Sequence, residues 1–328
     1  MHRDFLRNFT VNGQQLPKEV IDAIMAENGR DIEAAKKAYA GGNSGNGDKM
    51  FTQEEVNRIV SERLTREKEG AVVEQGKQVC ILDERLLRSP SVAVEECGNY
   101  TMEMCTITKD TLIKSMDLIG AYNEPRAAEI VDLEDTVDLY EDHLGTFLVK
   151  LSAQALSLKA GHSVSVMLHT IGDFERMSDH AVNIKDVAKE LHEKKLSFSP
   201  DAQKEISVLS AAIREILDIT EKAFIGNDLG FATRVEPLEQ VVDKLIAKIK
   251  DNHIARLRRG ECTIEMGFIL NDLLNNYSRI SDHCSNVAVA IIEVENDSFD
   301  THKYLNDVKY GSNDFAAAYD NYSEKYSL

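Results

Sequence analysis

The sequence predicts an all-α protein built from two repeated antiparallel three-helix bundles, with a separate helical segment at the N-terminus. The 328 residues include five prolines and no tryptophan, and long stretches rich in Ala, Leu, Glu, Lys and Ile separate the prolines. Such stretches of about 30 residues are long enough for helices of roughly 45 Å. The segment DFERMSDHAVNI at 173–184 nearly recurs as NYSRISDHCSNV at 276–287, an offset of 103 residues. These observations indicate a duplicated three-helix unit.

The first 80 residues are predicted to be distinct from the repeat. Residues 1–40 include LPKEVIDAIMAENGRDIEAAKKAYA, which is typical of one or two short helices, and 41–48 are the flexible linker GGNSGNGD. Residues 49–80 are predicted to form an amphipathic helix, opened by a capping box of Thr52 and Glu55. Residues 1–80 carry 12 Lys/Arg and 13 Asp/Glu, so nearly all of the net charge of −18 falls after them. This change in charge predicts a domain boundary near 80.

Six long helices are predicted within 81–296. Breaks between them are expected near Tyr122–Pro125, Ala160–His162, Ser197–Pro200, Gly226–Gly230 and Gly260. Ser89-Pro90 and Ser199-Pro200 are N-cap and first-turn signals, and their spacing is close to that of the repeated motif. The two repeats are therefore assigned to 89–195 and 199–296. Pro237 lies inside the fifth predicted helix, which must kink there or begin late.

The C-terminal segment 297–328 is rich in tyrosine. It holds five of the ten tyrosines of the chain, namely Tyr304, Tyr310, Tyr319, Tyr322 and Tyr326. Tyrosine combines apolar area with a polar end, so this segment is expected to pack along the bundle or to join a contact surface. A disordered tail is the alternative.

Composition excludes several classes of function. A net charge of −18 argues against binding to nucleic acid or to an anionic membrane surface, and it is compatible with binding cations. The five cysteines include no C-x-x-C pair, which is typical of reduced thiols in a cytosolic protein. No apolar run approaches the ~18 residues of a membrane-spanning helix, VAVAII at 287–292 being typical of the longest. We expect neither a transmembrane helix nor a signal peptide.

Carboxylates recur in pairs with helical spacing. The pairs are Glu134 with Asp138, Glu175 with Asp179, and Glu239 with Asp243, while the fourth position has Ser278 with Asp282. Residues four apart share one face of a helix, so two helices of one bundle can face each other with four carboxylates. At an effective dielectric near 20, unit charges 4–5 Å apart repel by about 3–4 kcal/mol, and such a cluster must protonate, face water or hold cations. A solvated charged face is the alternative for each pair taken alone.

The chemistry of the ligands predicts which metals fit. Hard oxygen donors without cysteine favour Mg, Mn, Ca or iron over zinc. His180 and His283 point away from the acidic faces and are interpreted as packing or interhelical hydrogen-bonding residues. Arg176 and Arg279 are expected to brace neighbouring carboxylates. Asn183 and Asn286 lie on the rims of the first and second face and are candidates for supporting polar groups. The seven predicted metal ligands are Glu134, Asp138, Glu175, Asp179, Glu239, Asp243 and Asp282.

At these residues the sequence resembles the PhoU family of phosphate-transport regulators, over about residues 82–296. The resemblance implies two three-helix repeats, each with E(D)-x-x-x-D motifs that bind multinuclear metal clusters. LDERLLRSPSVAVEEC at 82–97 and NDLLNNYSRISDHCSNVAVAII at 271–292 are similar, more specifically, to the cytoplasmic domain that ends bacterial Na/phosphate cotransporters. In that family a membrane domain precedes this region, whereas in this sequence the residues directly before it are those of the N-terminal segment.

The resemblance implies a regulatory, metal-binding protein rather than an enzyme. Its expected partner is a phosphate transporter or an associated signalling protein at the membrane, and its expected location is the cytoplasm, peripheral to the inner face of the membrane through that partner. A homodimer is a further expectation. No phosphate-cradling Gly loop, G-x-S-x-G or H-E-x-x-H motif is present in the sequence.

Two alternative functions follow from other features. LPKEVIDAIMAENGRDIEAAK and FTQEEVNRIVSERLTREKE resemble phage scaffolding or minor structural proteins, which implies self-association through residues 50–70. A carboxylate-bridged di-metal oxidase is the enzymatic alternative. That class normally carries Glu-x-x-His on its helices, and none of the nine histidines has a Glu three residues before it.

Overall fold

The computed structural model describes residues 10–11, 14–15, 82–295 and 313–328. The chain divides into two compact units, Met1–Gln78 and Val79–Leu328. In the first unit the described residues are two short strands, β1 (Thr10–Val11) and β2 (Gln14–Gln15), which pair antiparallel with Thr10 opposite Gln15. The predicted helices of 1–40 and 49–80, the linker 41–48, Tyr304 and Tyr310 lie outside the described residues.

The second unit consists of helices throughout its described ranges. A short 3₁₀ helix at Glu84–Arg88 precedes six long helices, and a shorter seventh lies near the C-terminus. The α-helices are α1 (Pro90–Asp117), α2 (Glu124–Ser152), α3 (Leu158–Lys194), α4 (Pro200–Gly226), α5 (Leu229–Arg258), α6 (Ile264–Glu295) and α7 (Asn313–Lys325). The predicted all-α fold with two three-helix repeats is confirmed.

Side-chain caps start the helices where the sequence indicates. The Ser199 hydroxyl accepts a hydrogen bond from the amide of Ala202 (3.3 Å) at the start of α4, and Pro200 follows it at the first helical position. Ser157 caps α3 in the same way, through the amide of Ala160 (3.2 Å). Because Ser157 supplies this cap, the break between α2 and α3 falls a few residues earlier than the predicted one at Ala160–His162, which lies inside α3.

The fifth helix continues through its proline. α5 begins at Leu229, where the Asp228 carboxylate accepts hydrogen bonds from the amides of Gly230 (2.7 Å) and Phe231 (3.3 Å). The helix therefore does not begin late. Pro237 is buried and has no N–H, so α5 lacks one internal hydrogen bond at that point.

The two bundles pack against each other along two of their helices. Helices α1, α2 and α3 form the first bundle, α4, α5 and α6 form the second, and α3 packs on α6 while α1 packs on α4. The junction is apolar at Phe174 and Phe224, whose rings meet edge to face with centroids 5.0 Å apart. Beside them the Lys109 ammonium bonds to the carboxylates of Asp218 (2.8 Å) and Glu221 (2.5 Å).

The C-terminal helix α7 packs against α5. Phe315 of α7 is buried, and Tyr319 and Tyr322 pack against the hydrophobic core. Tyr326, directly after the helix, is also buried, and its hydroxyl donates to the Ala211 carbonyl of α4 (3.5 Å). The Lys244 ammonium lies over the Tyr319 ring, 4.5 Å from its centroid. The described part of the tyrosine-rich tail is therefore packed rather than disordered. No helix in the described ranges is both long and apolar enough to cross a membrane.

Candidate metal centre

The first acidic face lies between α2 and α3. Carboxylate oxygens of Glu134, Asp138 and Asp179 all lie within 4.8 Å of one another. Glu134 and Asp138 come from successive turns of α2, and Asp179 comes from α3 opposite them. Glu134 is half-buried, whereas Asp138 and Asp179 are exposed. The structure thus brings together three of the four residues predicted for this face.

Electrostatic strain in this cluster appears as raised pKa values. Burial and the neighbouring carboxylates of Asp138 and Asp179 raise the pKa of Glu134 to about 7, and Glu134 also shares a hydrogen bond with Asp179. Burial and the charge of Asp179 likewise raise the pKa of Asp138. Without a cation, the cluster therefore holds a proton near neutral pH to limit its repulsion.

Glu175 extends the first face by one helical turn. Burial and the charges of Asp179, Asp138 and Glu141 raise the pKa of the Glu175 carboxyl, while Arg176 lowers it. Burial and two neighbouring aspartates raise the pKa of Glu141, and Arg176 again acts in the opposite direction. Glu141 was not among the predicted ligands, although its position one turn after Asp138 on the same helix is a visible signal. Arg176 acts on this face through its charge, which opposes the rise in the pKa values of Glu175 and Glu141.

The second acidic face, between α5 and α6, is organised differently. Burial and the charge of Asp282 raise the pKa of Asp243, but a hydrogen bond with Glu239 and the charge of Lys250 oppose this rise. The Arg279 guanidinium binds the Asp282 carboxylate at 3.1 Å. In the described residues, the three carboxylates predicted for this face do not converge on one point as those of the first face do.

Two neighbours of the second face were missed by sequence reasoning. Glu236, one turn before Glu239 on α5, adds a carboxylate that raises the pKa of Asp243. The Ser285 hydroxyl donates to Glu236 at 2.5 Å, from the turn of α6 that follows Asp282. Glu236 could have been found from its spacing, whereas the contact with Ser285 depends on how α5 and α6 pack.

The two motif histidines are directed away from the acidic faces, as predicted. The His180 Nδ1 atom lies 2.8 Å from Asn276 Oδ1, and the His283 Nδ1 atom lies 2.8 Å from Asp173 Oδ1. Both contacts cross from α3 to α6, so each histidine forms an interhelical hydrogen bond through its Nδ1 atom. Asn286 also contributes to this contact, because its amide donates to Asp173 at 3.1 Å.

The donors of the first face fit a hard cation. Three carboxylate oxygens converge with no sulfur or imidazole among them, and their mutual repulsion would be relieved by positive charge. A set of this kind suits Mg, Mn, Ca or iron, while zinc prefers nitrogen and sulfur ligands. An ion of this kind would be held by Glu134, Asp138 and Asp179 and would supply positive charge to these carboxylates.

Fold and site together define a class: a duplicated three-helix-bundle protein with a carboxylate-lined face in each half. The PhoU domain family matches this chain twice, at residues 101–188 and 206–291, and the chain belongs to that family. The two matches coincide with the two bundles.

Relatives and solved structures agree with this assignment. The chain is 22% identical over 211 residues to "Phosphate-specific transport system accessory protein PhoU homolog 1" of Thermotoga maritima, which covers 64% of this chain and 90% of the relative. It is 23% identical over 214 residues to the PhoU homolog of Aquifex aeolicus, covering 65% and 95%. The fold is similar to that of PhoU from Pseudomonas aeruginosa, with a TM-score of 0.58 and 16% identity over 62% of this chain and 97% of that one. It is also similar to the phosphate transport system regulatory protein PhoU from Streptococcus pneumoniae, with a TM-score of 0.55 and 16% identity over 64% and 98%.

Proposed function

We propose that this protein is a metal-binding regulatory accessory protein of phosphate transport. The convergence of Glu134, Asp138 and Asp179 on one point between α2 and α3 is the observation that carries the metal-binding part of this proposal. The relatives named as accessory proteins of phosphate-specific transport support the regulatory part.

In this proposal several residues of the chain contribute to the cation site. Glu134, Asp138 and Asp179 provide the converging oxygens, and Glu175 and Glu141 extend the donor set toward a second ion, since PhoU-like clusters hold several metals. Arg176 limits the excess negative charge at the edge of the face. The second face, with Glu239, Asp243 and Asp282, binds more weakly because Ser278 adds no charge and Arg279 already pairs with Asp282.

The partner in this proposal is a phosphate transporter or a signalling protein associated with it. The chain acts in the cytoplasm, at the inner face of the membrane through that partner, and a homodimer is its simplest assembly. The similarity of 82–97 to the cytoplasmic domain of Na/phosphate cotransporters supports a transporter of that kind. Regulation by binding requires no catalysis, and we propose that the protein is not an enzyme.

Metal analysis tests the first part of the proposal. The full chain is stripped with a chelator, dialysed separately against iron, Mn²⁺, Mg²⁺ or Ca²⁺, and measured for bound metal. We expect at least one equivalent of one of these metals, lost in Asp138→Asn. The matched control is Asp132→Asn, an exposed acid on the same helix, which is expected to retain it. Equal metal binding by Asp138→Asn and Asp132→Asn would show that the cluster is a solvated charged face rather than a metal site.

A second experiment tests the partner. The unchanged chain and the Asp138→Asn variant are each cross-linked in membranes of the source cells, and the proteins captured by each are identified. Enrichment of a phosphate transport protein or its signalling partner is expected. Capture that shows no such protein would contradict the proposed role while leaving metal binding to be judged on its own measurement.

A further inference from the structure

Helices α3 and α6 exchange two hydrogen bonds that are related by the internal repeat. His180 of α3 bonds to Asn276 of α6, and His283 of α6 bonds to Asp173 of α3, each at 2.8 Å. The 103-residue offset of the repeated motif relates His180 to His283 and Asp173 to Asn276. The two imidazole rings lie beside each other, with centroids 5.9 Å apart. We call these four residues the cross-bundle contact.

The acceptor atoms of Asn276 and Asp173 define the direction of the two hydrogen bonds in the cross-bundle contact. A carboxylate oxygen and an amide oxygen can only accept, so Nδ1 of each histidine carries the proton and donates. The Asn276 amide nitrogen donates to the Asp272 carbonyl at 2.8 Å, which orients its oxygen toward His180. Asp173 is buried, with 8% exposure, and accepts a second hydrogen bond from Asn286. Separating the helices would leave the buried Asp173 carboxylate without its partners His283 and Asn286, so the contact resists sliding.

Each motif helix carries its acidic residues and its cross-bundle residues on different faces. At about 100° per residue, Asp173 and His180 share one face of α3, and Glu175 and Asp179 lie roughly 130° round the helix from them. The same relation holds on α6 by the repeat. Helix α3 is therefore held on one side by the first acidic face and on another by the second bundle.

We propose that cation binding at the first acidic face is transmitted to α6 through the cross-bundle contact. This inference rests on the proposed metal binding. A cation removes the repulsion among Glu134, Asp138 and Asp179 and draws α3 toward α2. Because protein interiors are close-packed, a displacement of α3 on one side also moves the groups on its other side.

The receiving residues lie on the same segment of α6 as the second acidic face, on a different side of the helix. Asn276 is two residues before Ser278, and His283 directly follows Asp282. A shift of α3 that moves His180 and Asp173 therefore acts on the α6 segment that carries the second face. The four residues of the cross-bundle contact are positioning residues that link the two halves, and none of them binds the cation.

Hydrogen exchange followed by mass spectrometry tests this transmission. The second face is first disabled on α5 by Glu239→Gln with Asp243→Asn, so that any response to metal originates at the first face. The chain is then loaded with whichever of iron, Mn²⁺, Mg²⁺ or Ca²⁺ it binds, and bound metal is measured in the same samples. We expect amide exchange in 276–286 of α6 to slow by at least about fivefold on loading, the lower end of typical coupling between sites.

Breaking the cross-bundle contact is expected to abolish only the distant response. In the same background with Asp173→Ala and Asn276→Ala, peptides of α2 and α3 still slow on loading, whereas 276–286 does not. If the double change prevents folding, Asn276→Ala alone is used. Loading is then expected to slow amide exchange in 276–286 less than it does in the chain with the intact contact. The matched control is Asn275→Ala, which removes the neighbouring exposed amide and is expected to keep the full response.

The possible outcomes separate this inference from the proposed function. Absence of bound metal overturns both. Bound metal with unchanged exchange in 276–286, or with an equal response in the chains with and without the cross-bundle contact, overturns the transmission and leaves metal binding intact.

Discussion

The two bundles share one scaffold, but their acidic faces differ in how far neighbouring residues compensate the charges of the carboxylates. In the first bundle three carboxylates converge, and burial with like charges raises the pKa of Glu134 to about 7. In the second, Arg279 pairs with Asp282, and Glu239 and Lys250 counter the rise in the pKa of Asp243. The second bundle keeps three of the four acidic positions and has Ser278 at the fourth, while neighbouring residues decide whether the remaining charges stay uncompensated. Only the uncompensated face has a strong electrostatic reason to take up a cation.

A second contrast lies in the cores. In the second bundle Arg256 is buried and makes two 2.8 Å bonds to Glu205, which also accepts from Asn252 at 2.8 Å. The acidic pairs Glu134 with Asp138 and Glu239 with Asp243 are 105 residues apart. At this offset the first bundle has Tyr100, Phe147 and Leu151 in place of Glu205, Asn252 and Arg256. Phe147 and Leu151 are buried. One half thus uses an ion pair where the other uses apolar packing.

The largest expected effect concerns this buried ion pair. Removing one partner leaves the other charge buried and unpaired, so Glu205→Ala should lower the free energy of unfolding by about 3–5 kcal/mol. Chemical denaturation measures this loss. The control is the triple change Glu205→Tyr, Asn252→Phe and Arg256→Leu, which installs the residues of the first bundle and should recover most of it. A cost below ~1 kcal/mol for Glu205→Ala would show that the pair contributes little.

The next effect concerns the first acidic face. Asp179→Asn should weaken the tighter phase of a metal titration by at least about a hundredfold, equivalent to ~2.7 kcal/mol, because an anionic ligand is lost from the converging set. Asp282→Asn, at the repeat-related position, should affect only the weaker phase. Both are measured by calorimetric titration. Anomalous scattering that shows equal occupancy of the two faces at limiting metal would contradict the contrast.

Restoring a carboxylate at position 278 should make the metal affinities of the two faces more similar. Ser278→Glu adds one negative charge to the second face, and we expect its affinity to rise about tenfold, so that the two titration phases approach each other. Combining Ser278→Glu with Arg279→Gln should raise the affinity further, since the competing guanidinium is removed. An unchanged weaker phase in both variants would indicate that the second face does not bind metal.

A smaller effect is expected from the pH dependence of the metal-free protein. Folding raises the pKa of Glu134 from 4.5 to about 7, so its contribution to stability is present at low pH and is lost as pH rises from about 4.5 through about 7. Glu134→Gln should therefore raise the free energy of unfolding at pH 8 by about 1 kcal/mol and leave it nearly unchanged at pH 4. Denaturant titrations at both pH values, with Asp132→Asn as the control, measure the difference. Equal effects at both pH values would exclude repulsion as the cause.

The smallest effect is expected from removing residues 1–78. The second unit begins at Val79 and holds the cores of both bundles, so the truncated chain should keep its helical circular dichroism and melt cooperatively. The melting temperature should change by no more than a few degrees. A largely unfolded truncation would show that the bundles depend on the N-terminal unit.

Much of the fold could be predicted because its signals are local. Ser199 with Pro200 marks a helix start through one hydrogen bond and one fixed dihedral angle, and the structure begins α4 there. Spacing four residues apart places Glu134 with Asp138 on one face whatever the helix packs against. The repeated motif showed the duplication directly. These features depend on interactions within one or two turns, so the sequence by itself determined the six long helices and the acidic pairs.

The tertiary structure alone decided which charges remain uncompensated. Nothing in the spacing of Ser285 and Glu236, or of His283 and Asp173, indicates that they meet, because each pair belongs to different helices. The register between helices follows from side-chain packing summed along the whole interface. Every turn contributes to that sum, and no single motif is sufficient to predict it. For the same reason Arg256 and Glu205, 51 residues apart, became a buried ion pair, while the corresponding positions of the first bundle packed without charge.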